Sequence, residues 1–160
     1  NKYADRIKMT NIAQVVNVLQ SMILTDGPKM MLTPTYHVFE MYKVHQDATY
    51  LPLEINSDTK TVNNKELKMV TASASQKDGL IHITLTNADL DNAKKVKIDL
   101  AGKKAAKVTG KILTSKTVQD HNTFENPDKV KPETFTKFTF TDGVLNVNLP
   151  EKSIIVLDIK

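Results

Sequence analysis

The stretch GLIHITLTN, residues 79–87, decides the fold class because its residues alternate in character at every step. The two sides of the extended chain are formed by Ile81, Ile83 and Leu85 and by Leu80, His82, Thr84 and Thr86. One side is wholly apolar and the other is mainly polar. This period of two predicts a half-buried β-strand whose polar side faces water.

Similar runs follow up to the C-terminus at intervals of about ten residues, with Gly, Asn, Asp or Pro between them. The predicted strands lie in the segments TYLPLEI, LKMVTASASQ, KKVKIDLAG, AAKVTGKILTS, TFTKFTFTDG, VLNVNLP and SIIVLDIK. Thr141, Asp142 and Gly143 stand directly before Val144 and indicate a tight hairpin. Together these runs predict an antiparallel β-sandwich of roughly seven or eight strands.

The first part of the chain follows a helical period instead. One apolar stripe predicts a helix, and it consists of Ile12, Val15, Val16, Leu19, Met22 and Ile23. Gly27 and Pro28 then supply a signal for its C-terminal end. MMLTPTY, residues 30–36, predicts a short strand, and HVFEMYKVHQDA, residues 37–48, predicts a second helix.

The change of period divides the chain into residues 1–47 and residues 48–160. A helix–strand–helix unit cannot bury a lone strand by itself, because strands of a parallel sheet are covered on both faces. Residues 1–47 therefore predict the truncated end of a larger α/β array, joined to a complete β domain at residues 48–160.

The basic composition raises nucleic acid as a partner, since the 160 residues carry a net charge of +4. The lysines of residues 92–112 alternate with apolar residues, as on the solvated face of a sheet. Arg6 is the one arginine, Trp is absent, and no aromatic residue lies among these lysines to stack on bases. No apolar run approaches the roughly 20 residues needed to cross a bilayer. We expect neither a nucleic-acid partner nor a membrane partner.

Metal and cofactor signatures are weak. The chain has no Cys, and its four histidines show neither H-x-x-x-H nor H-E-x-x-H spacing: His37, His45, His82 and His121. A Ca²⁺ ion among Asp120, Glu125 and Asp128 is somewhat more plausible but lacks the usual ladder of Asp and Asn. No nucleophile elbow and no glycine-rich phosphate loop occurs. We expect no metal and no cofactor.

Paired carboxylates would be needed to hydrolyse a glycosidic bond. The six glutamates are scattered along the chain: Glu40, Glu54, Glu66, Glu125, Glu133 and Glu151. None of them closes an apolar strand beside an Asn or an aromatic residue, which is where a barrel enzyme would expose such a group. We expect no catalytic residue in this chain, which alone should hydrolyse nothing.

The loop QDHNTFENPDKVKP, residues 119–132, is predicted to be a structural corner. Asn122 and Asn126 favour turns, Pro127 restricts the backbone, and Phe124 needs an apolar partner. The alternative is a carbohydrate-binding corner formed by Phe124 and His121. One aromatic ring without a neighbouring Trp or Tyr makes a poor platform for sugar, so we favour the structural interpretation.

Long stretches of the chain resemble a known family. NIAQVVNVLQSMILTDGPKMMLTPTYHVFEMYKVHQDA is similar to the end of the catalytic barrel in α-L-arabinofuranosidases of glycoside hydrolase family 51. DHNTFENPDKVKP and LPEKSIIVLDI resemble the C-terminal β domain of that family. The resemblance runs from Asn1 to Lys160 in the same order and spacing.

The resemblance implies a parent protein with a (β/α)8 barrel followed by a jelly-roll-like β-sandwich. It implies a helix over Ile7 to Ile23, barrel strand eight over Met30 to Tyr36, and a closing helix over His37 to Asp47. The family removes terminal arabinofuranosyl groups from arabinan or arabinoxylan with retention, using two glutamates on barrel strands four and seven. Both would precede Asn1, and a periplasmic or extracellular location is somewhat favoured by such a role.

The resemblance also implies where sugar contacts would come from. Because barrel sites lie at the C-terminal ends of strands, Thr33, Thr35 and Tyr36 are candidates for contacts with arabinose in the parent protein. The alternative is that these residues simply pack the barrel rim. Asn122, Phe124, Asn126 and Pro127 would lie in a structural loop at the seam between the two domains.

Two further expectations concern partners. Residues 1–47 would lose the missing barrel that covers their apolar side, so the isolated chain should self-associate through them or fold its helices back onto the sandwich. A competing hypothesis is a free-standing β-sandwich carbohydrate-binding module with a helical extension. Such a module needs a wide strip of exposed aromatic residues, which the sequence does not predict.

Overall fold

The computed structural model describes residues 1–102 and 107–160. In chain order its elements are β1 Ile23–Asp26, β2 Lys29–Leu32, α1 Pro34–Tyr42, a 3-10 helix Lys43–His45, β3 Thr49–Leu51, β4 Thr59–Val62, β5 Lys65–Lys68, β6 Val70–Lys77, β7 Leu80–Asn87, β8 Lys94–Asp99, β9 Val108–Thr114, β10 Glu133–Thr134, β11 Phe138–Thr141, β12 Val144–Leu149 and β13 Ser153–Ile159. Neighbouring strands in every sheet are antiparallel. The prediction of a mostly β, antiparallel protein is confirmed. The part of the predicted strand segment AAKVTGKILTS at residues 105–106 lies outside the described residues.

Two sheets share one hydrophobic core. The larger sheet has the order β10-β9-β13-β7-β6-β3 and the smaller has the order β11-β12-β8. Fully buried side chains from both sheets meet in this core: Leu85, Leu145, Leu149, Ile155 and Leu157. Burial of a Leu or Ile side chain contributes about 1.5–3 kcal/mol, so these inner faces hold the sheets together. Two hairpins, β1-β2 and β4-β5, lie outside the shared sheets.

The tight turns follow the sequence signals. Asp142 and Gly143 connect β11 to β12 with Thr141 paired to Val144, and both turn residues have positive φ. This is the geometry of a two-residue hairpin, in which Asp and Gly tolerate the left-handed conformation. The predicted hairpin at this position is confirmed.

Strand β7 is buried on both faces, so the expectation of a half-buried strand is wrong for its polar side. His82 and Thr84 are only 8% and 1% exposed. The end of α1 and the 3-10 helix lie over this face, where Tyr42 and His45 contact hydroxyl groups of the sheet. The polar residues of β7 therefore face a polar layer of the protein and not solvent.

The helix expected over residues 7–23 does not form. The chain has turns, bends and one isolated bridge up to Met22, and Gln14, Asn17 and Gln20 have positive φ, which an α-helix excludes. The backbone N–H of Thr25 donates to Asn17 Oδ1 at 2.7 Å, which ties this segment to strand β1. The segment is rich in β-branched residues, and an amphipathic stripe gives a stable helix mainly when its apolar side is packed.

The expected strand at residues 30–36 and the helix at residues 37–47 are both displaced. Strand β2 ends at Leu32 and pairs antiparallel with β1, so it is no lone parallel strand. Pro34 begins α1, because the first turn of a helix tolerates a residue without an N–H group. Tyr36 is therefore helical, and the α-helix ends at Tyr42, where the 3-10 helix follows.

Helix α1 packs on the outer face of the six-stranded sheet. Met41 is buried against Val130 and the sheet residues Leu113 and Val156. The expected folding back of the helices onto the sandwich is thus seen for α1, whereas Val15, Val16 and Leu19 of the other predicted helix remain exposed. The boundary at residue 47 stays a prediction. No helix within residues 1–102 or 107–160 has the length and apolar character of a membrane span.

Candidate functional site

The predicted sugar-contacting residues lie where the β1-β2 hairpin joins α1. Thr33 precedes the helix, and its hydroxyl group accepts a hydrogen bond from the Tyr36 N–H at 3.4 Å. The same hydroxyl donates to the Ser21 carbonyl oxygen at 2.7 Å. Thr33 therefore caps the helix and holds the hairpin, which leaves its hydroxyl little capacity for another ligand.

Thr35 and Tyr36 lie in the first turn of α1 and face different surroundings. Thr35 lines a groove of about 440 Å³ between the helix and the sheet, together with Val38 and Phe39 of the same helix. Tyr36 is outside that groove, and its ring meets the ring of His37 edge-on at 5.6 Å between centroids. The three predicted residues are thus neighbours in the chain that do not share one cleft.

Two polar atoms beside Thr33 are buried without a hydrogen-bond partner within the described residues. They are the hydroxyl oxygen of Ser21 and Nε2 of His37. Burial lowers the pKa of His37, while the negative charges of Asp128 and Glu40 oppose that shift. Unsatisfied buried polar groups are uncommon in native proteins, so these two atoms mark a place where a partner group is expected. Periodicity carries no signal for such a pair.

The loop at residues 119–132 is tied to the hairpin by one buried side chain. The amide group of Asn122 donates to the carbonyl oxygens of Leu32 at 2.9 Å and Val130 at 3.0 Å. Its oxygen accepts from the Val130 N–H at 2.7 Å. Asn122 therefore connects strand β2 to a loop that lies 90 residues further along the chain. The sequence marked Asn122 as a turn former, and its long-range role could not be seen there.

The other loop residues chosen from the sequence are more exposed. Asn126 closes a local turn, in which its N–H donates to the Thr123 hydroxyl oxygen at 3.1 Å. Pro127 is exposed and Phe124 is half-buried. A seam with another domain at this loop stays a prediction.

Two of the three carboxylates considered for Ca²⁺, those of Asp120 and Asp128, are engaged with other groups. The hydrogen bond from the Ser115 hydroxyl holds the pKa of Asp120 far below its usual range, and the hydrogen bond from Lys129 is the second-largest cause. Lys131 lies 3.1 Å from Asp128. Within residues 1–102 and 107–160, no group of three or more His, Asp or Glu side chains is arranged to hold a metal ion.

A second polar cluster joins the 3-10 helix to the six-stranded sheet. His45 Nδ1 lies 2.7 Å from the Ser75 hydroxyl, and Nε2 lies 3.1 Å from the Thr84 hydroxyl. Thr84 donates its proton to the Ser73 carbonyl oxygen, so it accepts from Nε2–H of His45, and Ser75 donates to Nδ1. Neutral His45 satisfies both hydroxyl groups in this arrangement.

Burial lowers the pKa of His45, and electrostatic interactions with the neighbouring His82 and with the N-terminal ammonium group lower it further. His82 itself pairs with Asp158 at 2.6 Å. The sequence analysis placed His82 on a side of β7 that faces water and assigned no contact to His45, so it missed this layer. The only available signal was the run of hydroxyl-bearing residues on neighbouring strands.

The six glutamates do not converge. They lie on α1, after β3, on β5, in the loop before β10, on β10 and in the turn before β13: Glu40, Glu54, Glu66, Glu125, Glu133 and Glu151. Aromatic residues form no platform either. Among the described residues, the large exposed aromatic side chains are Tyr3 and Phe39, which lie on separate segments.

The chain is similar in sequence to known proteins over nearly its whole length. A family model described as the alpha-L-arabinofuranosidase C-terminal domain matches residues 1–153. A curated protein from Bacteroides ovatus, named intracellular exo-alpha-L-arabinofuranosidase, is 52% identical over 162 residues, which cover 100% of this chain and 32% of that protein.

Solved structures show the same relation. The GH51 arabinofuranosidase from Xanthomonas axonopodis pv. citri has a TM-score of 0.95 and 42% identity, over 99% of this chain and 32% of that chain. The α-L-arabinofuranosidase from Thermotoga maritima, solved with arabinose, has a TM-score of 0.85 and 27% identity, over 98% and 35% of the two chains. The chain spans about a third of the length of these relatives. It belongs to the C-terminal domain family of glycoside hydrolase family 51 α-L-arabinofuranosidases.

Proposed function

We propose that this chain is the C-terminal part of a retaining α-L-arabinofuranosidase that releases terminal arabinofuranosyl groups from arabinan or arabinoxylan. The observation that carries the proposal is the 52% identity over the whole chain to a protein named as an exo-alpha-L-arabinofuranosidase. The 160-residue part has a structural role, and the two catalytic glutamates lie in the remainder of the full-length enzyme. The dispersion of the six glutamates over separate elements supports this division.

We assign residues 1–47 to the end of a (β/α)8 barrel and residues 48–160 to a jelly-roll-like domain. Support comes from the large apolar side chains that are exposed in the first thirty residues: Tyr3, Ile7, Met9, Val15, Val16, Leu19 and Met30. So many exposed large apolar side chains in one segment are normally covered by a partner. The unpartnered polar atoms of Ser21 and His37 lie beside the same hairpin and would receive hydrogen bonds from the barrel.

Within that arrangement the junction contributes one side of the sugar pocket. Thr35 and Tyr36 are the better candidates for contact with arabinose, because the Thr33 hydroxyl already caps α1. The loop containing Asn122, Phe124, Asn126 and Pro127 lies at the seam between barrel and sandwich. Its connection to strand β2 through Asn122 supports that position.

The exposed apolar residues also favour self-association of the isolated chain through residues 1–47. Multi-angle light scattering of the chain checks this, with a dimer or larger species expected. A monodisperse monomer over a wide concentration range contradicts it.

The central experiment compares the full-length enzyme with the 160-residue chain on 4-nitrophenyl α-L-arabinofuranoside. We expect the full-length enzyme to release nitrophenol and the chain alone to release none. Absence of activity in a folded full-length enzyme, or activity in the isolated chain, contradicts the proposal. Product stereochemistry followed by proton NMR then separates retention from inversion.

A further inference from the structure

The outer face of the three-stranded sheet carries a regular array of polar side chains. The strand register places Thr139, Asn146 and Lys97 in one row across β11, β12 and β8. In the next row Lys95 pairs with Asn148, whose N–H donates to the carbonyl oxygen of Lys137 at 2.9 Å. These six residues line a shallow depression of about 500 Å³.

The side chains of this array have no hydrogen-bond or ion-pair partner within the described residues. All six are exposed: Lys95, Lys97, Lys137, Thr139, Asn146 and Asn148. Several other lysines form ion pairs, as Lys60 does with Asp89 at 2.7 Å and Lys129 with Asp120 at 2.9 Å. The array therefore presents three uncompensated positive charges and two free amide groups on one surface.

The asparagines are unexpected at these positions. Strand β12 is the central strand of the sheet, and its inner residues Leu145, Val147 and Leu149 are buried in the core. Asn is depleted in strands because it competes with the backbone for hydrogen bonds, so Asn146 and Asn148 do not favour the strand they occupy. Protection of the sheet edges accounts for the lysines on β8 and for Lys137 beside β11, but not for the asparagines of the central strand.

We propose that this face binds an acidic oligosaccharide, namely a glycan segment that carries uronic acid groups. Lysine ammonium groups attract the carboxylates, and the amides of Asn146 and Asn148 can each donate to one sugar hydroxyl and accept from its neighbour. Neighbouring strands lie about 4.8 Å apart and alternate residues about 6.8 Å apart, so the array matches two or three sugar rings. The sugar class rests on the proposed function, whereas the negative charge rests on the face alone.

The remaining residues of this face delimit the site. The row beyond Lys97 consists of Asp99, Val144 and Thr141, and the Asp99 carboxylate accepts the Ala101 N–H at 2.8 Å. Binding is thus restricted to the end that carries the lysines. A nucleic acid fits less well, because Phe138, the aromatic residue among the described residues that line the depression, packs against the core and is not free to stack on bases.

The test is calorimetric titration of the whole 160-residue chain with trigalacturonic acid and with its fully methyl-esterified, uncharged form. We expect the acid to bind and the ester to bind at least about tenfold more weakly, since three exposed charge pairs are lost. Binding should weaken between about 50 mM and 500 mM NaCl as the Debye length shrinks. In NMR spectra the side-chain amides of Asn146 and Asn148 should shift on titration.

The variant Lys95→Gln/Lys97→Gln/Lys137→Gln should lose the binding. The matched control Lys65→Gln/Lys68→Gln/Lys116→Gln removes the same charge from other exposed positions and should retain it. Equal binding of acid and ester, equal loss in both variants, or binding of polyuridylate in place of the uronide overturns the proposal. None of these measurements involves hydrolysis, so their failure is distinct from failure of the arabinofuranoside assay.

Discussion

The outer faces of the two sheets differ although their strands alternate in the same way. On the six-stranded sheet, α1 and the 3-10 helix cover the outer face, and His82 and Thr84 are buried among hydroxyl and imidazole groups. On the three-stranded sheet, Asn146 and Lys97 occupy corresponding outward positions and remain exposed without partners. Alternation alone therefore shows which side faces the core, and the rest of the chain decides whether the other side meets water.

The largest effect on stability should come from removing the apolar contact between α1 and the outer face of the six-stranded sheet. Met41→Ala leaves a cavity between α1 and the sheet residues Leu113 and Val156. We expect the free energy of unfolding to fall by about 2–5 kcal/mol in urea titrations. Met30→Ala is the matched control, because Met30 is 64% exposed, and it should change stability by less than about 0.5 kcal/mol. Similar losses in both variants would mean that α1 does not contribute as described.

A smaller effect on stability should come from removing the polar contacts between the 3-10 helix and the six-stranded sheet. His45→Gln removes the imidazole between Ser75 and Thr84, and we expect a loss of about 1–2 kcal/mol near neutral pH. His121→Gln is the control, since His121 is exposed and bonds only a nearby carbonyl oxygen within the described residues.

The same variant has a signature in pH. The folded-state pKa of His45 lies below its unfolded value of 6.5, so the unfolded chain takes up the proton first as pH falls. The free energy of unfolding should therefore decrease as pH falls through 6.5 towards the folded pKa, and His45→Gln should flatten that slope. His37 contributes in the same direction, so a residual slope is expected. An unchanged slope in His45→Gln would contradict the assignment.

The smallest effect is expected on the exposed outer face of the three-stranded sheet, where a substitution should raise stability and not lower it. Asn146→Thr replaces an exposed residue that disfavours strands by one that favours them, so stability should rise by a few tenths of a kcal/mol, roughly. Asn148→Thr should behave alike. Clear destabilisation in either variant would show that the asparagines serve the fold, which would weaken their assignment to a ligand. Differential scanning calorimetry resolves changes of this size.

Much of the β fold could be predicted, because strands that bury one side leave a period of two in the sequence. Leu145, Val147 and Leu149 illustrate this, since their alternation with asparagines places each of them in the core. The N-terminal part could not be predicted in the same way. The stripe at Val15, Val16 and Leu19 has helical spacing, yet these residues are exposed on irregular chain.

The candidate site was harder to predict than the fold. Residue type alone marked Asn122 as a turn former, but its bonds to Leu32 depend on a contact between distant segments. Pro34 lies within residues 30–36, which the pattern predicted to be a strand, although it begins a helix. The unpartnered groups of Ser21 and His37 depend on burial, which no local pattern reports.

The packing of α1 has a consequence for how such a domain could be exchanged between proteins. By sequence the helix continues the N-terminal segment, but Met41 and His45 complete the surface of the sheet. A recombination point immediately before Thr49 would remove α1 and the 3-10 helix from the sheet. The hydroxyl groups of Ser75 and Thr84 would then lose the His45 imidazole as their hydrogen-bond partner. The smallest transferable module therefore begins upstream of Pro34.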